Sequence, residues 1–298
     1  MTAHRPGPQA ASGRSGQAVV LGGGMAGMLA ARVLTDSFEQ VTIIERHDYQ
    51  LAHTTASERQ DEQYVARPAV AQVLAESRAQ LEGLLPGLCT GLVDDAAGIG
   101  RPEDRLARRL DSLDGVVMMG GCDAVGLASD GERCVGGQVL PRSRSAAART
   151  IPAELLVDAM GAGSRLSLWL TELWGTRIPI ERHEILLPTD PLDADETGGA
   201  ATSYTTTPCL RRRFDLAQRL PSGLIALGSS LCCLDPPAAR GLAVAALHAT
   251  TLQHLLAVDY AEGDYAEGSS GRSRLMPRRY FDAVTRAPSW LTTRSRPW

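Results

Sequence analysis

The chain contains no lysine, so all 30 of its Lys+Arg residues are arginine. That excludes a Schiff-base lysine, pyridoxal-phosphate chemistry of the usual kind and a P-loop lysine. Asparagine is also missing, and with it any N-glycosylation acceptor. A formal net charge of −4 offers no electrostatic case for nucleic acid. No apolar run reaches the roughly 18–20 residues of a membrane span, and Met1 to Gln17 lacks the apolar centre of a signal peptide. The expectation is a cytoplasmic protein whose residues 1–16, rich in Gly, Pro, Ser and Ala, form a disordered tail. Cys89, Cys122, Cys134, Cys209, Cys232 and Cys233 make no C-x-x-C pair and no zinc-type spacing, so they read as reduced, mostly buried thiols. His248 and His254 fall on different faces of one helix, and the other histidines sit in tail or loop-like sequence. No metal is expected.

Against these absences stands one motif. Ala18-Val19-Val20-Leu21 reads as an apolar strand, followed by Gly22, Gly23, Gly24 and then Gly27, a G-x-G-x-x-G run. Met25, Ala26 and Gly27 open a helical pattern that continues to Leu34. A second strand, Val41-Thr42-Ile43-Ile44, ends in Glu45 and Arg46. Gly22 permits the tight turn, Gly24 lets the backbone approach a pyrophosphate, and Gly27 lets helix and strand pack closely. Phosphates would sit on the free N–H groups and positive end of the helix. Glu45, roughly 20 residues on, is placed to accept hydrogen bonds from a ribose diol. Strand, helix, strand and acid in this register predict a dinucleotide-binding α/β unit, and 298 residues suit one large domain or two lobes.

Farther along, Arg46 to Arg67 is polar, and Arg59 and Arg67 lie where they could reach a phosphate. Helical periodicity covers about Val70 to Leu85 and Arg101 to Leu113. Gly115 to Met119, Ala124 to Leu127 and Cys134 to Leu140 read as short strands joined by Gly120-Gly121 and Asp130-Gly131 turns. Leu155 to Asp158 and Leu224 to Leu227 are further strands, and Trp174 to Pro208 reads as irregular. Leu242 to Leu256 is a nearly all-apolar helix, therefore buried. Arg211-Arg212-Arg213 reads as a solvated charged face, or as a site for an anionic substrate or a cofactor phosphate. Arg278 to Arg286 is a last short helix.

Leu156-Val157-Asp158-Ala159-Met160-Gly161-Ala162-Gly163-Ser164-Arg165 resembles the second fingerprint of class A FAD-dependent monooxygenases. Pro221-Ser222-Gly223-Leu224-Ile225-Ala226-Leu227-Gly228, with Asp235-Pro236 and Gly241 behind it, resembles their third motif. Gly100-Arg101-Pro102 is similar to the family's arginine just before a helix. Leu81 to Leu88 and Arg278 to Trp290 are similar to segments of a bacterial polyketide-tailoring branch that includes epoxidases. The resemblance implies an α/β fold with a Rossmann-like FAD-binding domain of the glutathione-reductase type. It divides the chain into a first FAD-binding part (17–170), a shortened substrate-facing β region (171–220) and a return segment with C-terminal helices (221–298). FAD would be held by Gly22, Gly23, Gly24, Met25, Ala26, Gly27, Glu45, Arg46, Arg101, Gly228, Ser229 and Gly241, with NADPH as the reductant.

The sequence also departs from that pattern. Ser229 stands where the family has an aspartate, and a hydroxyl cannot supply a carboxylate. Ala239-Arg240-Gly241 replaces a Gly-Gln-Gly segment, and Met160 replaces a polar residue. The resemblance implies an oxidoreductase that hydroxylates or epoxidises a hydrophobic small molecule such as a polyketide. A flavin-fold cyclase or isomerase with structural FAD, and a non-catalytic homologue, are the alternatives that these departures leave open.

Overall fold

In the computed structural model, residues 16–48, 81–84, 102–143, 146–188, 204–234, 239–261 and 276–286 are described. Gln17–Leu21 (β1) is followed by the helix Met25–Leu34 (α1) and by Gln40–Ile44 (β2). Ala18 to Leu21, Val41, Ile43 and Ile44 are buried, so these strands are apolar on both faces, as strands of a parallel sheet covered on two sides must be. Pro102–Asp111 (α2) leads to Val116–Met119 (β3), and later come Leu155–Asp158 (β7) and Leu224–Ala226 (β10). These five strands pair in parallel in the order β10-β7-β1-β2-β3.

That order places the site. The chain leaves β1 through α1 toward β2 on one side, whereas β7 and β10 are added on the other. The carboxyl ends of β1 and β7 therefore form a topological switch point, where open α/β sheets leave a crevice for ligands.

Two antiparallel sheets flank this core. Cys122–Ser129 (β4), Cys134–Pro141 (β5) and Arg149–Pro152 (β6) form a meander. After the helix Leu166–Trp174 (α3), Ile180–Pro188 (β8), Tyr204–Arg212 (β9) and Cys232–Leu234 (β11) make a sheet in the order β11-β9-β8. The expectation that Trp174 to Pro208 is irregular is corrected here, because β8 and β9 pair along nine positions from Ile180↔Arg212 to Pro188↔Tyr204. The local text Glu181-Arg182-His183-Glu184 is polar and carries no alternating apolar signal. Its strand conformation comes from cross-strand pairing, to which single-strand propensity is blind.

Ala239–Ala261 (α4) lies on α1, with Val244, Ala245, Ala246, Ala249, Leu252 and Leu256 buried. The expectation that no apolar run reaches a membrane span is corrected here, because by length and composition the Gly241–Asp259 stretch, with its scattered Thr, His and Gln, is long and apolar enough to cross a membrane. In this fold those side chains instead fill the space between α1 and the last helix, Met276–Arg286 (α5). On α5, Met276, Tyr280, Phe281 and Val284 face inward, and the Phe281 ring stacks on Phe214 at 4.6 Å. The described part of the expected 70–85 helix, 81–84, is helical with Leu81 and Leu84 buried. The expected tail, except Gly16, lies outside the described residues.

Candidate functional site

At the end of β1 the chain turns sharply, and each glycine of the turn has a distinct surrounding. Gly22 has φ +102°, donates its N–H to the Ile44 carbonyl at 2.8 Å, and leaves no room for a Cβ, which would lie 2.5 Å from the Ala159 oxygen. At Gly27 a Cβ would run into the Gly22 carbonyl oxygen, so helix and turn touch main chain to main chain. Gly24 is different. It caps α1 in extended conformation, and among the described residues no side chain caps the helix and nothing lies within 4 Å of where its Cβ would be. The first-turn N–H groups of a helix lack intrahelical acceptors, so this open end of α1, at Met25, Ala26 and Gly27, is a cradle for an anion.

Glu45 closes the other side. Its Oε2 accepts the Gly23 N–H at 2.6 Å and its Oε1 accepts the His47 N–H at 2.9 Å. The side chain is buried and held on both oxygens, and each oxygen keeps lone-pair capacity for a further donor such as a sugar hydroxyl. Arg46 stands beside it, mostly exposed, 3.7 Å from Asp123.

The return loop comes to the same place. Gly228, at φ +60°, sits so close to α1 that a Cβ would lie 2.6 Å from the Ala26 methyl. Its N–H donates to His248 Nδ1 at 2.9 Å, which fixes that ring nitrogen as the acceptor. Burial, reinforced by the Arg211 charge, pushes the His248 pKa down to about 3, so the ring is neutral. Gly228–Ser230 forms a single 3-10 turn, with Ser229 partly exposed.

Asp158, at the end of β7, ties the second fingerprint to this loop. It is fully buried and accepts hydrogen bonds from the Met160 N–H at 3.0 Å, the Ser230 hydroxyl at 3.1 Å and the Ser164 hydroxyl. Ser230 in turn accepts the Gly161 N–H at 2.8 Å. Burial raises the Asp158 carboxyl above the ordinary carboxylate range, opposed by those hydrogen bonds and by the charge of Arg212. The Arg212 guanidinium donates to the carbonyls of Ser229 (3.3 Å), Ser230 (2.9 Å) and Ala162 (3.0 Å). It joins both motifs from β9.

The structure thus gathers Gly22, Gly23, Gly24, Met25, Ala26, Gly27, Glu45, Arg46, Gly228 and Ser229 at one end of the sheet. Gly241 lies in the first turns of α4, with nothing within 4 Å of its Cβ position. Arg101, Arg59, Arg67 and Asp235 lie outside the described residues. The Arg211–Arg213 run is neither a solvated face nor an open anion site. Arg212 is buried among carbonyls, Arg213 pairs with Asp215 (2.6 Å) and Glu181, and Arg211 donates to the Thr285 carbonyl at 2.9 Å. The cause is packing, since β9 threads between the return loop and α5 and each guanidinium meets a different acceptor. Asp158, Ser230 and His248 had no binding or structural role in the sequence expectations, and Arg212 entered them only as part of the arginine run. One signal was available: a polar side chain in a buried strand or all-apolar helix needs a partner.

No family model matches the chain. Protein Rv3254 of Mycobacterium tuberculosis strain H37Rv is 28% identical over 237 residues, 63% of this chain and 48% of that protein, so the chain spans about half the length of this curated relative. Among solved structures, the flavin-dependent brominase Bmp2 superposes with a TM-score of 0.51 at 13% identity, over 91% of this chain and 84% of that one. The myxobacterial chondrochloren halogenase CndH, a variant FAD-dependent halogenase, gives a TM-score of 0.50 at 14% identity, covering 91% and 78%. The anhydrotetracycline hydroxylase OxyS from Streptomyces rimosus gives 0.50 at 14%, covering 91% and 66%. The expected α/β fold with a parallel sheet holds, and it is the fold shared with these flavin-dependent halogenases and this hydroxylase.

Proposed function

We propose that this chain is an FAD-dependent oxidoreductase of the monooxygenase kind, acting on a hydrophobic small molecule such as a polyketide, with NADPH as reductant. The observation that carries this reading is the space that the described residues leave open at Gly24, where none of their side chains caps α1, beside a carboxylate already oriented by two main-chain N–H groups. The residues present fit the cofactor. The α1 N–H groups meet a diphosphate, Glu45 accepts from the adjoining ribose, and the Gly228–Ser230 turn borders the same cradle through its contact with Ala26. Bound FAD supplies the electron-transfer chemistry, and the protein supplies binding, orientation and electrostatics. Ser229 offers one hydroxyl where the family places a carboxylate, so the grip on the cofactor rests more heavily on Glu45 and the α1 amides.

The test is uptake of FAD by the purified full chain, followed by anaerobic addition of NADPH. Flavin absorbance is expected to survive desalting and to bleach with NADPH. Replacing Glu45 by Ala should weaken FAD binding by about 1–3 kcal/mol, the worth of a charged hydrogen bond. Protein that takes up no FAD overturns the proposal. Flavin that is retained but never bleached favours the cyclase or isomerase reading with structural FAD, the one most tolerant of Ser229.

A further inference from the structure

β11 is an edge strand of its sheet, and it begins two residues after the return loop. Its first residue, Cys232, pairs in register with Arg211, while Cys209 pairs with Leu234. The two cysteines are therefore diagonal neighbours on one face, since strand positions two apart point the same way. Their sulfurs touch at 3.7 Å, and each residue is only 6% exposed. Cys233, next along β11, points to the opposite face. Among the described residues Cys122, Cys134, Cys209 and Cys232 are free thiols.

We propose that Cys209 and Cys232 form a disulfide when the chain meets a peroxide, a modification site independent of the flavin reading above. Closing from 3.7 Å to a bond of about 2.05 Å brings the sulfurs together by about 1.65 Å, and β11, paired on one side only among the described residues, can move. Cys209 is the attacking sulfur. The hydrogen bond from Cys232 lowers its pKa, burial opposes this, and the Arg211 charge adds to the lowering. Its thiolate attacks one peroxide oxygen, the O–O bond breaks, and a sulfenic acid forms as the first water leaves. The Cys232 sulfur then displaces the sulfenic hydroxyl, its proton leaves with that hydroxyl as a second water, and the S–S bond closes. Two thiols lose two electrons and two protons, and the peroxide is reduced to two waters. The product links the strand that carries Arg212 to the strand that leaves the return loop.

Treating the full chain with hydrogen peroxide, alkylating the remaining thiols and mapping non-reduced peptides tests this. A Cys209–Cys232 crosslinked peptide is expected, with two fewer alkylated thiols than the six of the reduced chain, reversed by a thiol reductant. C209S and C232S should each abolish the crosslink and C233S should leave it intact. A crosslink through Cys233, sulfinic acid at either residue without a crosslink, or an unchanged thiol count overturns the proposal. Mapping of the unmutated chain decides it even where a serine variant does not fold.

Discussion

The turn at Gly22–Gly27 and the loop at Gly228–Ser230 face each other across Ala26, yet they are held in opposite ways. The first is shaped by missing atoms: at Gly22 and Gly27 a single added carbon would collide with main chain. The second is shaped by occupied hydrogen bonds, with His248, Asp158 and Arg212 reaching it from α4, β7 and β9. A turn defined by sterics has nothing to titrate but no tolerance for bulk. A loop defined by a buried polar network depends on each partner being present and in the right protonation state. The two halves of one site should therefore fail under different insults.

The largest effect belongs to the sterically defined half. Gly27→Ala drives a methyl into the Gly22 carbonyl, and neither backbone segment has slack, so we expect destabilisation of about 4 kcal/mol, seen as a lowered urea midpoint. Gly24→Ala separates structure from binding within the same motif. Its φ of −70° suits alanine and its Cβ meets nothing among the described residues, so the midpoint should hold while FAD uptake falls. Equal destabilisation by both variants would break the assignment of different roles to the two glycines.

In the polar half, Arg212→Met keeps the aliphatic stem and removes the guanidinium. Three carbonyls lose their donor and the buried Asp158 loses its nearest positive charge, which should cost about 3 kcal/mol. Equilibrium unfolding measures it. A loss under about 1 kcal/mol, the worth of a solvated surface charge, would restore the reading of this arginine run as an exposed face.

This difference also explains what the sequence made legible. The glycine turn is local: its glycines, apolar strand and acid lie within 28 residues, from Ala18 to Glu45, and each has a mechanical reason visible in the residue type. The parallel sheet was legible for the same reason, because Leu155–Val157 and Leu224–Ala226 are short, apolar runs. The network was not legible. Gly161 to Ser230 spans 69 positions and Ser230 to Asp158 spans 72, and nothing in either segment names the other. β8 stayed hidden because its identity depends on a partner strand, and the arginine run was misread because three adjacent residues of one type met three different environments.

Acid should reveal the polar half in a way the glycine turn cannot imitate. The His248 pKa falls to about 3 in the folded chain, from an ordinary value of 6.5. Between those values the unfolded chain binds a proton that the folded chain refuses. Stability from this group is therefore full above pH 6.5 and is lost as pH falls toward 3. Between pH 7.5 and 5 the loss amounts to about 2 kcal/mol. Asn places Oδ1 on the same carbon that carries Nδ1, so His248→Asn can still accept the Gly228 N–H and does not titrate. Its unfolding free energy should decline about 2 kcal/mol less than that of the parent over this range. Parallel pH profiles for the two proteins would show that His248 is not the buried neutral acceptor described here.

The smallest effect comes from a polar group that belongs to neither half. Tyr280 on α5 is fully buried against Phe281, and among the described residues its hydroxyl has no hydrogen-bond partner. Burial alone pushes its pKa upward, so the phenol stays protonated and contributes an unsatisfied donor rather than a charge. If satisfied hydrogen bonds are what secures the return loop, an unsatisfied one elsewhere should be a burden. Tyr280→Phe removes the desolvated oxygen and keeps the ring, so stability should stay level or rise by about 1 kcal/mol. Thermal unfolding of the two proteins side by side reads this out. A clear loss of stability would mean that the hydroxyl is engaged, and that buried polar groups in this chain are paired more widely than the contacts around Gly228 indicate.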